Sequence, residues 1–322
     1  TTAQISIRGI GNLAIGAAAD SGTGMHFNGV YLNNGRIFES EFYDAERVEV
    51  LRGPQGTLYG RNTTAGVVNL ITRRPGDEFG GFVNVEAGNY AHRKLKGALN
   101  IPLTDHLSQR FAVFYLEREG FVDNLFTGDD IDGRDMYSLR SATRWQSERT
   151  DATLTIQYFE ENSDRMRGSA QRCRRDPEGV LGCLPTGLAN QRPHSGATIT
   201  GFLINGIVAP LTGLPFPEDD FVNSPFSEDP REQYLDFTPV YEVEDTVISL
   251  EIDHDIGSLT LSSVTGYHRS DFSARNDYDF TVASEPWPVP VTVDRGPDGA
   301  ITVDRAYSTD RSTTEPEQWS QE

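Results

Sequence analysis

Strict alternation of apolar and polar residues, in runs joined by short connections on one side and long ones on the other, constrains this chain most. Ala152, Leu154, Ile156 and Tyr158 alternate with Asp151, Thr153, Thr155 and Gln157. That two-residue period belongs to a strand with one apolar and one polar face. The pattern recurs at Gly81, Val83 and Val85; at Leu95, Gly97, Leu99 and Ile101; and at Phe111, Val113 and Tyr115. It returns at Leu139, Ser141, Thr143 and Trp145; at Ile248, Leu250 and Ile252; and at Leu259, Leu261, Thr265 and Tyr267. Seven strands are predicted, and an eighth should open near Gln318.

The connections alternate in length. Residues 102–106, 147–150 and 254–257 form tight turns, whereas the other links run over about 120–136, 162–243 and 273–317. Short turns at one end and long loops at the other are the habit of an outer-membrane barrel; a soluble β-sandwich shares the alternation but not this asymmetry. Tyr90, Tyr115, Tyr137, Trp145, Tyr158 and Tyr267 collect near strand ends, as an interfacial girdle requires. No apolar run approaches the ~18 residues of a membrane helix, the longest clear one spanning 111–116. A barrel strand of about 9–11 alternating residues leaves no such signal.

Charge and composition refine this picture. The net charge of −20 argues against a nucleic-acid partner held by phosphate neutralisation. Between Phe216 and Ile256 there are thirteen carboxylates against the single Arg231, so this stretch accounts for most of the negative charge, as a solvated face or as a collar for cationic solutes. Fourteen of the 17 prolines fall in the last two long links, where no strand ladder needs the N–H donor that proline lacks. Asp123, Asp129, Asp130, Asp132 and Asp135 in the first link offer oxygen ligands for calcium, without the twelve-residue spacing of a known loop. Cys173 and Cys183, ten apart in a polar stretch, suit a disulfide formed in an oxidising compartment.

No catalytic constellation emerges. The six histidines, His26, His92, His106, His194, His254 and His268, form no metal-binding pair at helical spacing. Neither a Gly-x-Ser-x-Gly elbow nor a phosphate loop occurs, so an enzyme is not expected.

Residues 1–76 differ in kind. Short apolar runs at Ile5–Ile7, Val30–Leu32, Val48–Leu51 and Val67–Ile71 are punctuated by glycine, with seven arginines against six carboxylates, which reads as a small α+β unit. Its most specific stretch is Glu-Arg-Val-Glu-Val-Leu-Arg-Gly-Pro-Gln-Gly-Thr-Leu-Tyr-Gly at 46–60, followed by Ala-Gly-Val-Val-Asn-Leu-Ile-Thr at 65–72. Together with Ile7-Arg8-Gly9 and Asn28-Gly29-Val30-Tyr31, this resembles the plug domain of TonB-dependent outer-membrane receptors. Within the signature, Gly53, Pro54, Tyr59, Gly60, Gly66 and Asn69 stand out: Gly53-Pro54 turns the chain sharply, and the other glycines permit close approach or positive φ.

The resemblance implies an α+β plug (residues 1–76, its C-terminal part) followed by antiparallel transmembrane β-barrel strands (77–322) belonging to a barrel of about 22 strands. On that expectation a TonB box and the first plug strand would precede Thr1, and about fourteen strands would follow Glu322. It also implies the outer membrane of a Gram-negative bacterium, contact with its lipid, and active import driven by TonB with ExbB and ExbD. The cargo would be an extracellular small molecule, first a metal chelate such as a ferric siderophore, with cobalamin, an oligosaccharide or another organic solute as alternatives. A passive porin or an adhesive β-structure is the alternative of another class. Ligand contacts at the plug apex would come from Arg8, Asn12, Asn33, Asn34 and Tyr43, and Arg52 would latch onto wall carboxylates, mostly on strands outside this chain. No resident cofactor is expected beyond the possible loop calcium.

Overall fold

A computed structural model describes residues 5–11, 22–166, 203–217, 220–221, 223–225, 227, 229–294 and 299–322. Two short strands, β1 (Ser6–Ile7) and β2 (Ile10–Gly11), form a small antiparallel pair. Then come β3 (Thr23–Phe27), β4 (Val30–Leu32), β5 (Ala45–Arg52) and β6 (Gly66–Thr72), which make a four-stranded sheet in the order β4-β3-β6-β5. β3 and β6 run parallel and the other pairs antiparallel. β6 is central and buried along nearly its whole length, which explains why its sequence is a continuous apolar run and not an alternation.

The signature residues build the crossover from β5 to β6. Gly53 and Gly60 adopt φ of 94° and 68°. Gly53 N–H donates to Ala65 O and Gln55 N–H to Thr63 O, folding the short helix Gly56–Tyr59 back on the sheet. A Cβ at Gly66 would lie 2.2 Å from Leu51 O, so only glycine fits there.

From Gly80 onward the chain forms a wall. Its long strands are β7 (Gly80–Ala87), β8 (Arg93–Thr104), β9 (Leu107–Arg118), β12 (Arg134–Gln146), β13 (Thr150–Ser163), β15 (Val240–Ile256) and β16 (Leu259–Asp277). Consecutive members pair antiparallel into one sheet. An eighth position, beside β16, is filled by two pieces, β19 (Thr309–Thr314) and β20 (Glu317–Gln321). It opens nine residues before Gln318, where the sequence places it: Thr309–Thr314 is polar throughout and gives no apolar signal, and the ladder breaks at Glu315-Pro316.

The two faces of the wall are opposite in character. Val83, Val85, Leu99, Phe111, Leu139, Leu154 and Ile156 point outward and are exposed, Val83 at 75% and Val85 at 73%. Arg110, Arg140, Gln157, Asp245, Ser249, His268 and Ser270 point inward and are buried. A sandwich would bury the apolar face; this arrangement is that of a barrel wall. On the outer face Tyr137 sits opposite Tyr115 in register, and its ring centroid is 5.9 Å from that of Tyr158. The Tyr115 hydroxyl donates to Glu117, and those of Tyr137 and Tyr158 both donate to Glu160.

The long links are not structureless. The first carries β10 (Val122–Asn124) and β11 (Asp130–Ile131), the second β14 (Glu232–Gln233), which pairs with β10, and the third the hairpin of β17 (Val291–Asp294) and β18 (Ala300–Val303). Ile204, Phe221, Ala283, Trp287 and Ala306 form a separate apolar core joining the second and third links. There Trp287 Nε1 donates to the buried Asp220 carboxylate at 2.8 Å. Cys173 and Cys183 lie outside the described residues.

Candidate functional site

The N-terminal sheet rests against the inner face of the wall, and the contact combines an apolar core, with Leu32, Ile37 and Phe38 on one side and Phe114, Phe159 and Phe272 on the other, with buried charge. Between the 3-10 helix Arg36–Ser40 and β5 the chain turns through three non-glycine residues with positive φ, Glu41, Phe42 and Asp44. The turn delivers Asp44 to two wall arginines. Arg110 grips its carboxylate in a fork, Nε at 2.8 Å and Nη2 at 2.5 Å. Arg140 Nη2 donates to the same carboxylate at 3.0 Å and to the main-chain oxygens of Asp44 and Tyr43. The side chain of Asp44 is 0% exposed and those of Arg110 and Arg140 8% and 3%, so the pairs operate where water cannot screen them.

Further charge pairs extend the seam. Toward the long-loop end, Glu39 meets Arg165 at 2.5 Å; Arg165 also meets Glu161 at 3.0 Å and lies 3.5 Å over the Tyr241 ring. Burial pushes the Glu39 carboxyl up to about 7, against the pull of Arg165. Arg36 donates to Ser270 Oγ at 3.2 Å and stacks over Phe272, and its burial holds its pKa below the usual guanidinium range. Glu41 meets both lysines of the chain, Lys94 at 2.6 Å and Lys96 at 2.8 Å. Toward the short-turn end Arg74 pairs with Glu251.

The expected site residues fall in different places. Arg8 is exposed in the β1–β2 turn at φ 55°. Asn33 accepts a hydrogen bond from Arg61, and Asn34 Oδ1 accepts one from the main-chain N–H of Arg36, a turn-forming bond. Tyr43 is corrected from vestibule contact to packing residue: it is 3% exposed, stacks on Phe114 at 5.7 Å and donates its hydroxyl to Ser138. Asn12 lies outside the described residues. Arg52 is exposed at the end of β5 and makes no ion pair among the described residues. The ion pairs that tie sheet to wall come from Glu39, Glu41, Asp44 and Arg74, none of which the sequence singled out.

Of the remaining signature residues, Asn69 accepts the Gly29 N–H through its side chain at 3.2 Å. Tyr59 packs edge-on against His26, centroids 5.0 Å apart. His26 is wholly buried between Tyr59 and Tyr31, and burial pushes its pKa down to about 4.

The aspartates proposed for calcium in the first link disperse. Asp129 accepts from Thr238, Asp132 faces Arg118 at 3.8 Å, and Asp123 and Asp130 pair across β10 and β11. Among the described residues the three carboxylates that converge are Asp236, Asp277 and Asp279, with oxygens within 4.8 Å of one another. Burial first, and then their mutual repulsion, raises Asp236 to about 8 and Asp279 to about 9.

A sheet seated by buried ion pairs and apolar packing on the inner face of an outwardly apolar wall now meets an independent finding. Residues 1–67 match the sequence model of the TonB-dependent receptor plug domain. The chain carries a TonB-dependent receptor plug domain over those residues. Among curated relatives, the ferric enterobactin receptor of Pseudomonas aeruginosa is 43% identical over 72 residues, covering 20% of this chain and 10% of that protein. The ferrioxamine B receptor of Salmonella typhimurium is 33% identical over 165 residues, covering 50% of this chain and 20% of that one. Of solved structures, the ferric-catecholate import receptor Fiu of E. coli K12 in its open form superposes with a TM-score of 0.57 at 12% identity, over 92% of this chain and 38% of that one. The siderophore receptor PiuA of Acinetobacter baumannii gives 0.54 at 14% identity, over 86% and 33%. At such identities the superpositions concern the fold, a plug against a barrel wall. The chain spans about a tenth to a fifth of the length of those curated relatives.

Proposed function

We propose that the receptor imports a ferric siderophore across the outer membrane of a Gram-negative bacterium, energised by TonB with ExbB and ExbD acting on a TonB box. The observation that carries this reading is the pairing of a plug domain with relatives named as receptors for ferric chelates. The fold supports it: the plug occupies the inner face of the wall, so passage requires the plug to shift, and a shift against buried ion pairs needs an energy source. Outward apolar strands supply the surface that lipid requires. The exposed Arg8, together with Asn33 and Asn34, is the contact set we assign to the cargo, with Arg52 as a further latch to wall strands outside this chain.

The test is growth of the source bacterium under iron limitation, with and without the gene, on ferric siderophores and on candidate sugars. A growth defect confined to siderophore-supplied iron is expected. Normal growth on every siderophore, with a defect on a sugar or cobalamin, would reassign the cargo.

A further inference from the structure

The tip of the β3–β4 hairpin is built with unusual care, and it ends against a hole in the wall. Asn28 and Gly29 have φ of 49° and 81°, the pair of positive values that a tight two-residue hairpin turn requires. β6 clamps this turn. Asn28 exchanges side-chain hydrogen bonds with Thr72, donating from Nδ2 to Thr72 Oγ1 at 3.0 Å and accepting the Thr72 N–H at 2.9 Å. Asn69 accepts the Gly29 N–H. The next residue, Val30, is 1% exposed.

Val30 abuts Gly266 on the inner face of β16. A Cβ at Gly266 would lie 2.4 and 2.6 Å from the two Val30 methyls, and 2.7 Å from Ser320 Oγ. The serine oxygen can swing aside, but a β-branched valine on a clamped strand cannot. Beside it, a Cβ at Gly29 would touch the methyls of Val264, two residues before Gly266 on β16.

We propose that Gly266 is the seating notch of the plug: the missing side chain admits Val30, and Asn69 and Thr72 act as positioning residues by fixing the turn that presents it. This rests on the plug-and-wall reading of the fold. It gives a reason for an asparagine in the plug signature and for a glycine in the middle of a long membrane strand, where glycine otherwise weakens pairing.

The test uses the intact full-length receptor in cells. Gly266→Ala should unseat the plug and increase sensitivity to vancomycin, which a sealed outer membrane excludes, several-fold, while the barrel stays heat-modifiable on gels. Adding Val30→Ala, which removes both clashing methyls, should restore resistance. Gly80→Ala, on the same wall with nothing within 4 Å of its Cβ, should leave resistance unchanged. Should Gly266→Ala fail to assemble, the double variant decides: recovered assembly supports the notch, and its absence refutes it. Wild-type vancomycin resistance in Gly266→Ala, or failure of Val30→Ala to suppress its defect, would overturn the proposal. Because sealing is read with no siderophore present, a failed iron-growth test would not affect this outcome.

Discussion

Asp44 holds its place by two guanidiniums and loses nothing to water, so changing it leaves two positive charges facing each other at the seam. Asp44→Asn should destabilise the seated plug by about 3–5 kcal/mol, the range for removing one partner of a buried pair. Chemical denaturation of the purified receptor, monitored at a fluorescent label placed in the plug, measures it, and a loss below about 1 kcal/mol would mean the pair is screened. His26 gives a pH signature of its own. It titrates near 6.5 when unfolded and about 4 when buried, so the unfolded chain binds the proton first. Plug stability should therefore be full above pH 6.5 and fall as pH drops toward 4, by roughly 3 kcal/mol in total. His26→Phe should flatten that dependence; an unchanged profile would show that the ring is already solvated. At this scale the signature residues were legible because their glycines and turn chemistry are local. Asp44 was not, since one carboxylate among six in the plug looks like any other until the fold brings Arg110 and Arg140 to it. Lys94 and Lys96 were visible as the only lysines, yet their shared partner Glu41 lies more than fifty residues away.

Among the elements, the long links behave as one folded layer. Trp287 with Asp220 ties the second link to the third, and β14 ties the second to the first. Asp236 and Asp279 set that layer's response to pH. Both hold their protons far more tightly in the folded loops than in the unfolded chain, where a carboxyl titrates near 4. Loop stability should be full below about pH 4 and decline as pH rises toward 8 to 9, the direction opposite to His26. Limited proteolysis of the outer loops across that range checks this, and Asp279→Asn should protect them at neutral pH; equal cleavage at all pH values would contradict the assignment. The wall strands were legible because every one alternates. Thr309–Thr314 was lost because hydroxyl side chains on both faces carry no apolar contrast, and β10, β11, β14, β17 and β18 because two to four residues are too few for a period to show.

For the molecule as a whole, the balance of faces explains both its composition and its proposed activity. Exposed apolar residues look outward while the inner face mixes buried polar and charged residues with apolar ones, so low apolar content coexists with a wall fit for lipid and an inner face that seats the plug through both kinds of contact. Active import by displacement of that plug is the central claim. It is tested most directly by accumulation of iron-55 supplied as ferric siderophores to cells carrying the intact gene, the deleted gene, or the intact gene without TonB. Uptake that requires both the gene and TonB for at least one siderophore is the predicted result. Uptake that requires the gene and persists unchanged without TonB would contradict it and describe a passive pore.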